Sequence, residues 1–581
     1  MKLLKRFFKS KTNFLFFLLI VLAVIPRFIF LNNVPNAINQ DELHYVLDAK
    51  SFFLTGKDVL GQVTPLDVLL FHSPESEPMQ AELQYFLEIP VFGLLNFSLA
   101  NLVFPNAVLG VLTVLLIYLV TLRLFNKNIA LLAGLLAAIN PWLIFLSRTT
   151  YEAGPATLFF LCTFYILLIT KGWKILLTIP FALLAFYSYI GTKLIFLPFM
   201  FLSILYAYLY VNKRKYLKQY SLVFIFSIIL TLFFFFQFKH YEVSRTSEIV
   251  LPNSPEIVEQ VIGFRKMAIQ SPFLNLFDNK FSIYSSVLTK NIVNVFSPSY
   301  LFVNADYFFM MGGHGLFYQI DAIFLIAGLA SLFLSNKKLF LIFGAVILTG
   351  ALPQVLYDPN GNGNFTPHIA LVIPFFIILI GVGINKTLDT FKNKKYSYLL
   401  IIFLVFIYLL SFISFSYFYF LKFPLQEGTF EIQNRILSKY ISLYKNNIPI
   451  TIFSENPKLT YREFLFYTNA YNKNTVDKIN KSLQENKFVF NNISFFSCNN
   501  TSLKDTTTLI ISDVYCAKTF NAKSISIAQL KDSGRRYDIF NDKICSHYNL
   551  PNYVNNLKLS DLNIESLSEK KFCETFMVSY R

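Results

Sequence analysis

Long apolar runs separated by short polar turns fill most of the first 420 residues of this chain. Apolar runs of about 18 residues or more predict helices that cross a membrane. Eleven such runs lie near residues 13–31, 103–122, 129–146, 154–170, 174–190, 193–211, 219–238, 316–334, 339–356, 367–384 and 398–420. The pattern therefore predicts a multi-pass α-helical membrane protein.

Positive charge is concentrated in alternate turns between these runs. The basic start of the chain is predicted to share its side of the membrane with the Lys- and Arg-rich turns 123–127, 213–218 and 392–395. Because Lys and Arg are enriched in cytoplasmic loops, we expect a cytoplasmic N-terminus. The first run is long and no small-residue cleavage site follows it, so we expect it to remain as a span.

Two predicted loops on the opposite face are long, 32–102 and 239–315. The first contains an apolar segment, Leu83 to Phe97, that is short and is interrupted by Pro90. Counting this segment as a span would invert the charge pattern of every later loop. We therefore expect an interfacial helix that lies on the outer face.

The composition changes near residue 421, beyond which Asn, Ser, Lys and Asp become frequent. This change divides the chain into a membrane module, 1–421, and a tail, 422–581. An odd number of spans places the tail outside the cytoplasm. The stretches IPITIFS and TTLIISDVY are typical of buried strands and SKYISLYK is typical of a helix, so we predict an extracytoplasmic α/β domain.

Composition and charge narrow the class of protein further. Of the 581 residues, 67 are Phe and only 15% are charged, and the mean hydropathy is +0.50, which excludes an ordinary soluble protein. A net charge of +17 in a soluble chain would be compatible with nucleic acid. Here much of the excess lies in short loops, so we expect the lipid bilayer and no nucleic acid as a partner.

Four of the five cysteines lie in the tail: Cys498, Cys516, Cys545 and Cys573. An even number in an extracytoplasmic domain indicates two disulfides, for which three pairings are possible. We expect sequential pairing. Their spacing matches no zinc motif, so we do not expect a metal there.

The most informative polar feature is the acidic pair Asp41-Glu42, which follows the first apolar run. A carboxylate at a membrane rim can act as a general base, and partial burial strengthens it. Asp41 is our candidate base, and Glu42 is a second catalytic acid or an anchor of the loop through Arg148. Alternatively, both acids only cap the helix that starts here, since carboxylates accept hydrogen bonds at helix N-termini.

Four stretches in residues 26–330 are informative together: PNAINQDELHYVLDAKSFFLTGKDVLG, INPWLIFLSRTTYEAGPATLFF, FYSYIGTKLIFLP and NVFSPSYLFVNADYFFMMGGHGLFYQIDAIFLIAGL. In order and spacing they resemble the GT-C glycosyltransferases of the dolichyl-phosphate-mannose-protein mannosyltransferase and aminoarabinose transferase type, in the bacterial branch of glycosyltransferase family 39. One later stretch departs from that family. NFTPHIALVIP has Ile, Ala and Leu after His368, where the family usually carries an Arg.

The resemblance implies a GT-C-like fold and a specific reaction. A sugar would pass, with inversion, from a polyprenyl-phosphate donor to a protein, lipid or glycan acceptor on the outer face of the plasma membrane. It implies no cofactor: a divalent cation could bridge the acids and the donor phosphate, but the family generally works without a metal.

The leaving phosphate requires nearby cations or other donors. Arg148 and Glu152 are four residues apart, and we expect them on one helix face, with Arg148 in the same aqueous pocket as the acidic pair. Lys193, His314 and His368 are the other candidates for substrate binding. Each candidate also has a simpler interpretation. Arg148 and Glu152 would form an ion pair at the membrane rim, and Lys193 would be a snorkelling lysine. His314 would belong to an ordinary turn at GGHG, and His368 would be a boundary residue.

Two other classes of function remain open. A transporter or flippase of lipid-linked glycans should show charges or broken helices near mid-membrane and paired halves, and the sequence has no repeated halves. A non-catalytic scaffold with a sensory outer domain would not need Asp41 or Arg148.

Overall fold

The computed structural model describes residues 11–72, 81–212, 214–238, 254–307, 309–357, 364–391, 394–426, 430, 432–444, 448–499, 508–516, 524–528, 535–554 and 557–579. Up to residue 417 the regular elements are α-helices with short 3-10 and π turns. The α-helices are α1 (Lys11–Phe28), α2 (Gln40–Thr55), α3 (Pro65–Leu69), α4 (Glu82–Leu94), α5 (Leu99–Leu124), α6 (Lys127–Ile139), α7 (Pro141–Leu146), α8 (Ala153–Ile169), α9 (Thr178–Ser188), α10 (Ile190–Tyr206), α11 (Leu217–Phe238), α12 (Pro255–Met267), α13 (Leu274–Phe277), α14 (Lys280–Val295), α15 (Pro298–Phe302), α16 (Asp321–Ser335), α17 (Lys337–Val355), α18 (Val372–Thr390) and α19 (Lys394–Tyr417).

Each of the eleven predicted apolar runs is helical in the structure. Among the described residues, six helices are long and apolar enough to cross a membrane, judged by length and composition: α5, α10 with its extension to Val211, α11, α17, α18 and α19. Five shorter apolar helical segments complete the set: α1, α6, α8, Gly172–Ser188 and α16. The chain is therefore a multi-pass helical membrane protein.

The predicted span at 129–146 is two helices rather than one. Asn140 accepts the N–H of Leu143 at 2.9 Å, and Pro141 occupies the first position of α7. Because a proline nitrogen has no hydrogen to donate, the ladder of α6 cannot continue through Pro141. The chain is thereby redirected just before Arg148.

Two glycines allow α16 and α18 to touch. A Cβ on Gly328 would lie 2.0 Å from the carbonyl oxygen of Leu379, and one on Gly383 would lie 2.0 Å from that of Phe324. Small residues let helix backbones approach closely in a membrane, where apolar burial alone gives little preference between helices. Larger residues at these positions would separate the pair.

The apolar segment that starts at Leu83 is helix α4, and its main partner is α2. Its Tyr85 ring meets Tyr45 edge-on, with ring centroids 4.8 Å apart, and Phe92 is fully buried. α4 is therefore a helix packed on protein, whatever its depth relative to the membrane.

The second long loop contains a helical hairpin of α12 and α14. Ile257 and Val261 of α12 pack against Ile283 of α14. The side-chain amide of Asn291 donates to the carbonyl oxygen of Val355 at 2.9 Å. The base of the hairpin is thus attached to the end of a candidate membrane span, α17.

The tail is an α/β domain. Its elements are α20 (Ile432–Leu443), β1 (Ile450–Ser454), α21 (Pro457–Tyr467), α22 (Val476–Gln484), β2 (Val489–Phe490), β3 (Ile493–Ser497), β4 (Leu509–Asp513), β5 (Ser524–Ala528), β6 (Arg535–Phe540), α23 (Glu569–Phe576) and β7 (Met577–Val578). The sheet order is β2-β3-β1-β4-β6-β5-β7, with β1 parallel to β3 and β4 and the other pairs antiparallel. The central strands β1 and β4 are buried along their whole length, as their apolar sequences predict.

The tail and the first long loop share one hydrophobic core. Leu43 and Val46 of α2 lie in the same cluster as Ile436, Phe464 and Leu465 of the tail. Removing apolar surface from water stabilises such contacts by roughly 25 cal/mol per Å². The tail is therefore docked on the helix that begins with the acidic pair.

The four tail cysteines are bonded as Cys498–Cys516 and Cys545–Cys573, which is the sequential pairing that we expected. Cys545 and Cys573 are fully buried, and Cys573 lies on α23. Cys162, on α8, is in no disulfide.

Candidate functional site

The N-terminus of α2 is held by a reciprocal pair of hydrogen bonds. Asn39 accepts the N–H of Glu42 at 2.9 Å, and a Glu42 carboxylate oxygen accepts the N–H of Asn39 at 3.0 Å. Such a capping box satisfies two helix-end donors at once. It sets the start of α2, and with it the position of Asp41 in the first turn.

Glu42 is buried, at 2% exposure. Its second carboxylate oxygen accepts the N–H of Thr150 at 2.8 Å. Burial raises the pKa of Glu42 from 4.5 to about 7, against the opposing effect of the hydrogen bonds from Asn39 and Thr150. Glu42 thus joins α2 to the connection between α7 and α8, and its oxygens are turned into the protein.

Asp41 differs from its neighbour because its side chain is exposed. It stands in the first turn of α2, where the helix dipole and the unpaired N–H groups favour a negative charge. Of the acidic pair, Asp41 is the member that an external substrate can reach.

Arg148 is fully buried. Its guanidinium donates to carbonyl oxygens around the end of α1, including Pro26 at 3.0 Å, Ile29 at 2.7 Å and Val34 at 2.6 Å. These bonds satisfy carbonyls that a helix end leaves without intrahelical partners. The expectation that Arg148 opens into an aqueous pocket beside the acids is wrong, because its guanidinium holds the end of α1 instead.

Glu152 and Arg148 do not share a helix face. α7 ends at Leu146 and α8 begins at Ala153, so both residues lie in the connection between these helices. Glu152 is half-buried and accepts a hydrogen bond from the hydroxyl of Tyr45, on α2. The expected i,i+4 pair is therefore wrong, but Glu152 is brought to the same helix as Asp41.

Lys193 lies on α10 and is buried. Its ammonium forms an ion pair with Glu82 of α4 at 2.6 Å. It also lies over the rings of Phe234 and Phe71, 4.6 and 5.0 Å from their centroids. An ion pair this deeply buried needs both members, since either charge alone would be costly there.

The two candidate histidines lie in aromatic surroundings. His314 is half-buried, its Nδ1 is 2.7 Å from the carbonyl oxygen of Gly315, and burial lowers the pKa of His314. The ring of His368 meets Tyr357 and Phe365 edge-on, with centroids 4.5 and 4.9 Å apart. Both environments suit packing as well as substrate contact.

Two acids of α4 were not among the sequence candidates. Glu82 holds Lys193, and the buried Glu88 accepts a hydrogen bond from Gln84 at 2.8 Å. Burial raises the pKa of Glu88 well above its usual value, and the nearby Glu42 carboxylate adds to this. The available signal was the occurrence of two acids inside an apolar helical segment, where ionisable groups are expensive.

The described residues contain no group of three His, Cys, Asp or Glu side chains arranged to hold a metal ion. The acids near the start of α2 accept hydrogen bonds from other groups of the protein. Glu42 accepts backbone N–H groups and Glu152 accepts the Tyr45 hydroxyl.

No protein-family model and no curated protein matches this chain. Among solved structures, it is similar to ArnT from Cupriavidus metallidurans bound to undecaprenyl phosphate, with a TM-score of 0.47, 12% identity and coverage of 91% of this chain and 98% of that chain. It is also similar to an oligosaccharyltransferase from Archaeoglobus fulgidus tethered with an acceptor peptide (TM-score 0.44, 10% identity, 92% and 74% covered). A third is AglB from the same organism in complex with an inhibitory peptide and a dolichol-phosphate (0.45, 13%, 92% and 75%).

Proposed function

We propose that this protein is a membrane glycosyltransferase of the GT-C type. It transfers a sugar from a polyprenyl-phosphate donor to an acceptor hydroxyl, with Asp41 as the general base. The observation that carries the proposal is the exposure of Asp41 on a helix start that Asn39, Glu42 and Thr150 hold in place. A positioned carboxylate is what proton removal from a hydroxyl requires.

The reaction balances as a single displacement. The Asp41 carboxylate takes the proton of the acceptor hydroxyl while the oxygen of that hydroxyl forms a bond to the anomeric carbon of the donor sugar. The bond from that carbon to the phosphate oxygen breaks, and the phosphate leaves with the electron pair. Attack opposite the leaving group inverts the anomeric centre. The acceptor hydroxyl belongs to a protein, a lipid or a glycan.

The other candidate residues receive different assignments. Glu42 and Arg148 position the ends of α2 and α1, since each forms hydrogen bonds with backbone groups there. We keep Glu152, His314 and His368 as substrate contacts, and Lys193 as a donor-phosphate ligand that would exchange part of its bond to Glu82. No cofactor is assigned.

We also propose an orientation in the plasma membrane. The N-terminus is cytoplasmic, and the tail, about 422–581, lies on the opposite side with the first loop. The two disulfides support this side, because such bonds persist in oxidising compartments. Docking of the tail on α2 supports the same side of the membrane for the candidate site.

The test is transfer by purified, lipid-reconstituted protein from a panel of polyprenyl-phosphate sugars. The parent should release polyprenyl phosphate with one donor, and Asp41→Asn should not. Asp477→Asn is the matched control, since Asp477 is also an exposed acid in the first turn of a helix, α22. Equal turnover by the parent and Asp41→Asn would reject the base assignment, and movement of intact donor without transfer would favour a flippase.

A further inference from the structure

The connection between α12 and α14 carries an unusual concentration of exposed apolar side chains. We define the hairpin tip as residues 267–281. Its exposed members are Met267 (78%), Ile269 (92%), Phe273 (64%), Leu276 (64%), Phe277 (68%) and Phe281 (77%). Contiguous exposed apolar surface of this kind marks an interaction site rather than a surface in contact with water.

The tail domain shows how the same chain treats surface that faces water. Among its described residues, the exposed large apolar side chains are Val489, Tyr515 and Tyr553, at 38%, 59% and 52%. Two of these carry a hydroxyl, and they are scattered along the sequence. The hairpin tip exposes six such groups in fifteen residues, so its composition does not fit an aqueous environment.

The hairpin tip lies within reach of the membrane surface. Asn291 of α14 is hydrogen-bonded to the carbonyl oxygens of Val355 (2.9 Å) and Tyr357 (3.4 Å), at the end of the candidate span α17. A helix of 16 residues is about 24 Å long. The hairpin tip is therefore no more than about one such length from the end of a span.

The charged residues near the hairpin tip indicate that it contacts an anionic lipid bilayer. The hairpin tip and its immediate flank carry three cations, Arg265, Lys266 and Lys280, against one acid, Asp278. The acids Glu256 and Glu259 lie in the first half of α12, away from the tip. Apolar groups beside cations are the pattern of segments that enter the interface of an anionic bilayer.

We propose that the hairpin tip inserts into the lipid leaflet on the side of the tail domain, with Arg265, Lys266 and Lys280 at the level of anionic headgroups. Its large apolar side chains enter the acyl region, and the hydrogen bond that the Arg265 side chain donates from Nε to the backbone carbonyl oxygen of Asp278 (2.7 Å) keeps the tip closed. This interaction surface is separate from α2, and it stands whether or not Asp41 is a base.

Site-directed spin labelling tests the insertion. In a Cys162→Ala background with intact disulfides, nitroxides are placed on Ile269→Cys and Phe277→Cys, with Tyr553→Cys in the tail as the aqueous control. The protein is reconstituted in phosphatidylglycerol-containing liposomes. Accessibility to oxygen, which concentrates in the bilayer, should exceed accessibility to a water-soluble nickel chelate several-fold at 269 and 277, and the order should reverse at 553.

Two results would overturn the proposal. Chelate access at 269 and 277 equal to that at 553 would place the hairpin tip in water. Low access to both reagents, with spin–spin broadening that disappears on dilution with unlabelled protein, would assign the surface to a second copy of the chain. Phe273→Cys provides a third position if either variant is poorly produced.

A charge-neutralised variant tests whether the cations of the hairpin tip interact with anionic headgroups. The double variant Lys266→Gln and Lys280→Gln, which keeps the Arg265 bond to Asp278, should lower the oxygen-to-chelate ratio at Phe277→Cys by at least two-fold in phosphatidylglycerol liposomes. In pure phosphatidylcholine the double variant and its parent should agree. An unchanged ratio in the anionic liposomes would reject the role of headgroup charge.

Discussion

Arg462 of the tail domain lies against His44 of α2, with 2.6 Å between Nη1 and Nδ1, and both side chains are buried. His44 follows Asp41 by three residues, so the tail reaches the same first turns of α2 that carry the candidate base. An arginine has only donors, so the contacted nitrogen of His44 is the acceptor. The tail thus belongs to the framework of the candidate site rather than being an appended module.

The first prediction concerns the base. Asp41→Asn should lower kcat by about 10²–10⁴-fold, the usual contribution of a positioned general base, with little change in KM. Because Asp41 is exposed, the thermal unfolding temperature should stay within about one degree of the parent. Single-turnover kinetics and a thermal melt check both parts, and a large loss of stability would show that Asp41 is structural.

The second prediction concerns docking of the tail. Arg435 is buried, pairs with Glu565 at 2.5 Å and donates to the carbonyl oxygen of Asn36 at 2.6 Å. Arg435→Ala removes these bonds and should destabilise the protein by roughly 3 kcal/mol. Limited proteolysis should then release the tail more rapidly, and transfer activity should fall because α2 loses support.

A matched control for this variant is Lys481→Ala. Lys481 pairs with Glu485 at 3.9 Å on the surface of α22, and exposed pairs contribute little. Its proteolysis pattern and melt should equal those of the parent. Equal behaviour of the Arg435 and Lys481 variants would contradict a docking role for Arg435.

The third prediction separates two roles of Lys193. Lys193→Met leaves Glu82 buried without its partner, which should cost about 3–5 kcal/mol. Adding Glu82→Gln removes the stranded charge and should recover most of the stability. If Lys193 also binds the donor phosphate, the double variant will be stable but will keep a raised KM for the donor; a normal KM would leave Lys193 a purely structural role.

The fourth prediction is a pH dependence caused by Glu42. Burial raises its folded-state pKa from 4.5 to about 7, so between these values the folded protein holds a proton that the unfolded chain releases. The proton bound to Glu42 makes its full contribution to the stability of the folded state below about pH 4.5. This contribution is lost as the pH rises through about 7, which lowers the free energy of unfolding by roughly 3 kcal/mol. The parent should therefore lose stability relative to Glu42→Gln between pH 5 and pH 8.5.

Melting temperatures across this pH range, measured in detergent, test the effect of Glu42. Glu42→Gln should start from a lower stability because an amide cannot accept both backbone N–H groups, a loss of about 1 kcal/mol. The gap between the two proteins should then narrow or reverse at high pH. A constant gap would mean that Glu42 does not titrate in this range.

The fifth prediction concerns the buried disulfide. Cys545 and Cys573 are 28 residues apart in sequence and fully buried. Replacing both with Ala should destabilise the tail by about 3–4 kcal/mol, from the loop entropy of the unfolded chain. The Cys498/Cys516 double variant, whose side chains are half-buried, should lose less, as non-reducing thermal melts of the two variants would show.

The secondary structure and the division into a membrane module and a tail follow from the sequence alone. All eleven apolar runs are helical, IPITIFS and TTLIISDVY contain the strands β1 and β4, and the first six residues of SKYISLYK, 438–443, lie in α20. These features depend on the periodicity of neighbouring side chains and on local backbone preferences, which are present in any short window. Even the break of the run 129–146 had a local cause, Pro141.

The roles of the charged side chains, by contrast, become visible only in the folded chain. The adjacent acids Asp41 and Glu42 look equivalent in the sequence. In the structure the N–H of Thr150, 108 residues away from Glu42, donates a hydrogen bond to Glu42, whereas the Asp41 side chain is exposed. Arg148 likewise donates hydrogen bonds to carbonyl oxygens at the end of α1. The energy of a buried charge depends on partners that distant segments bring within about 3 Å, and no local pattern contains that information.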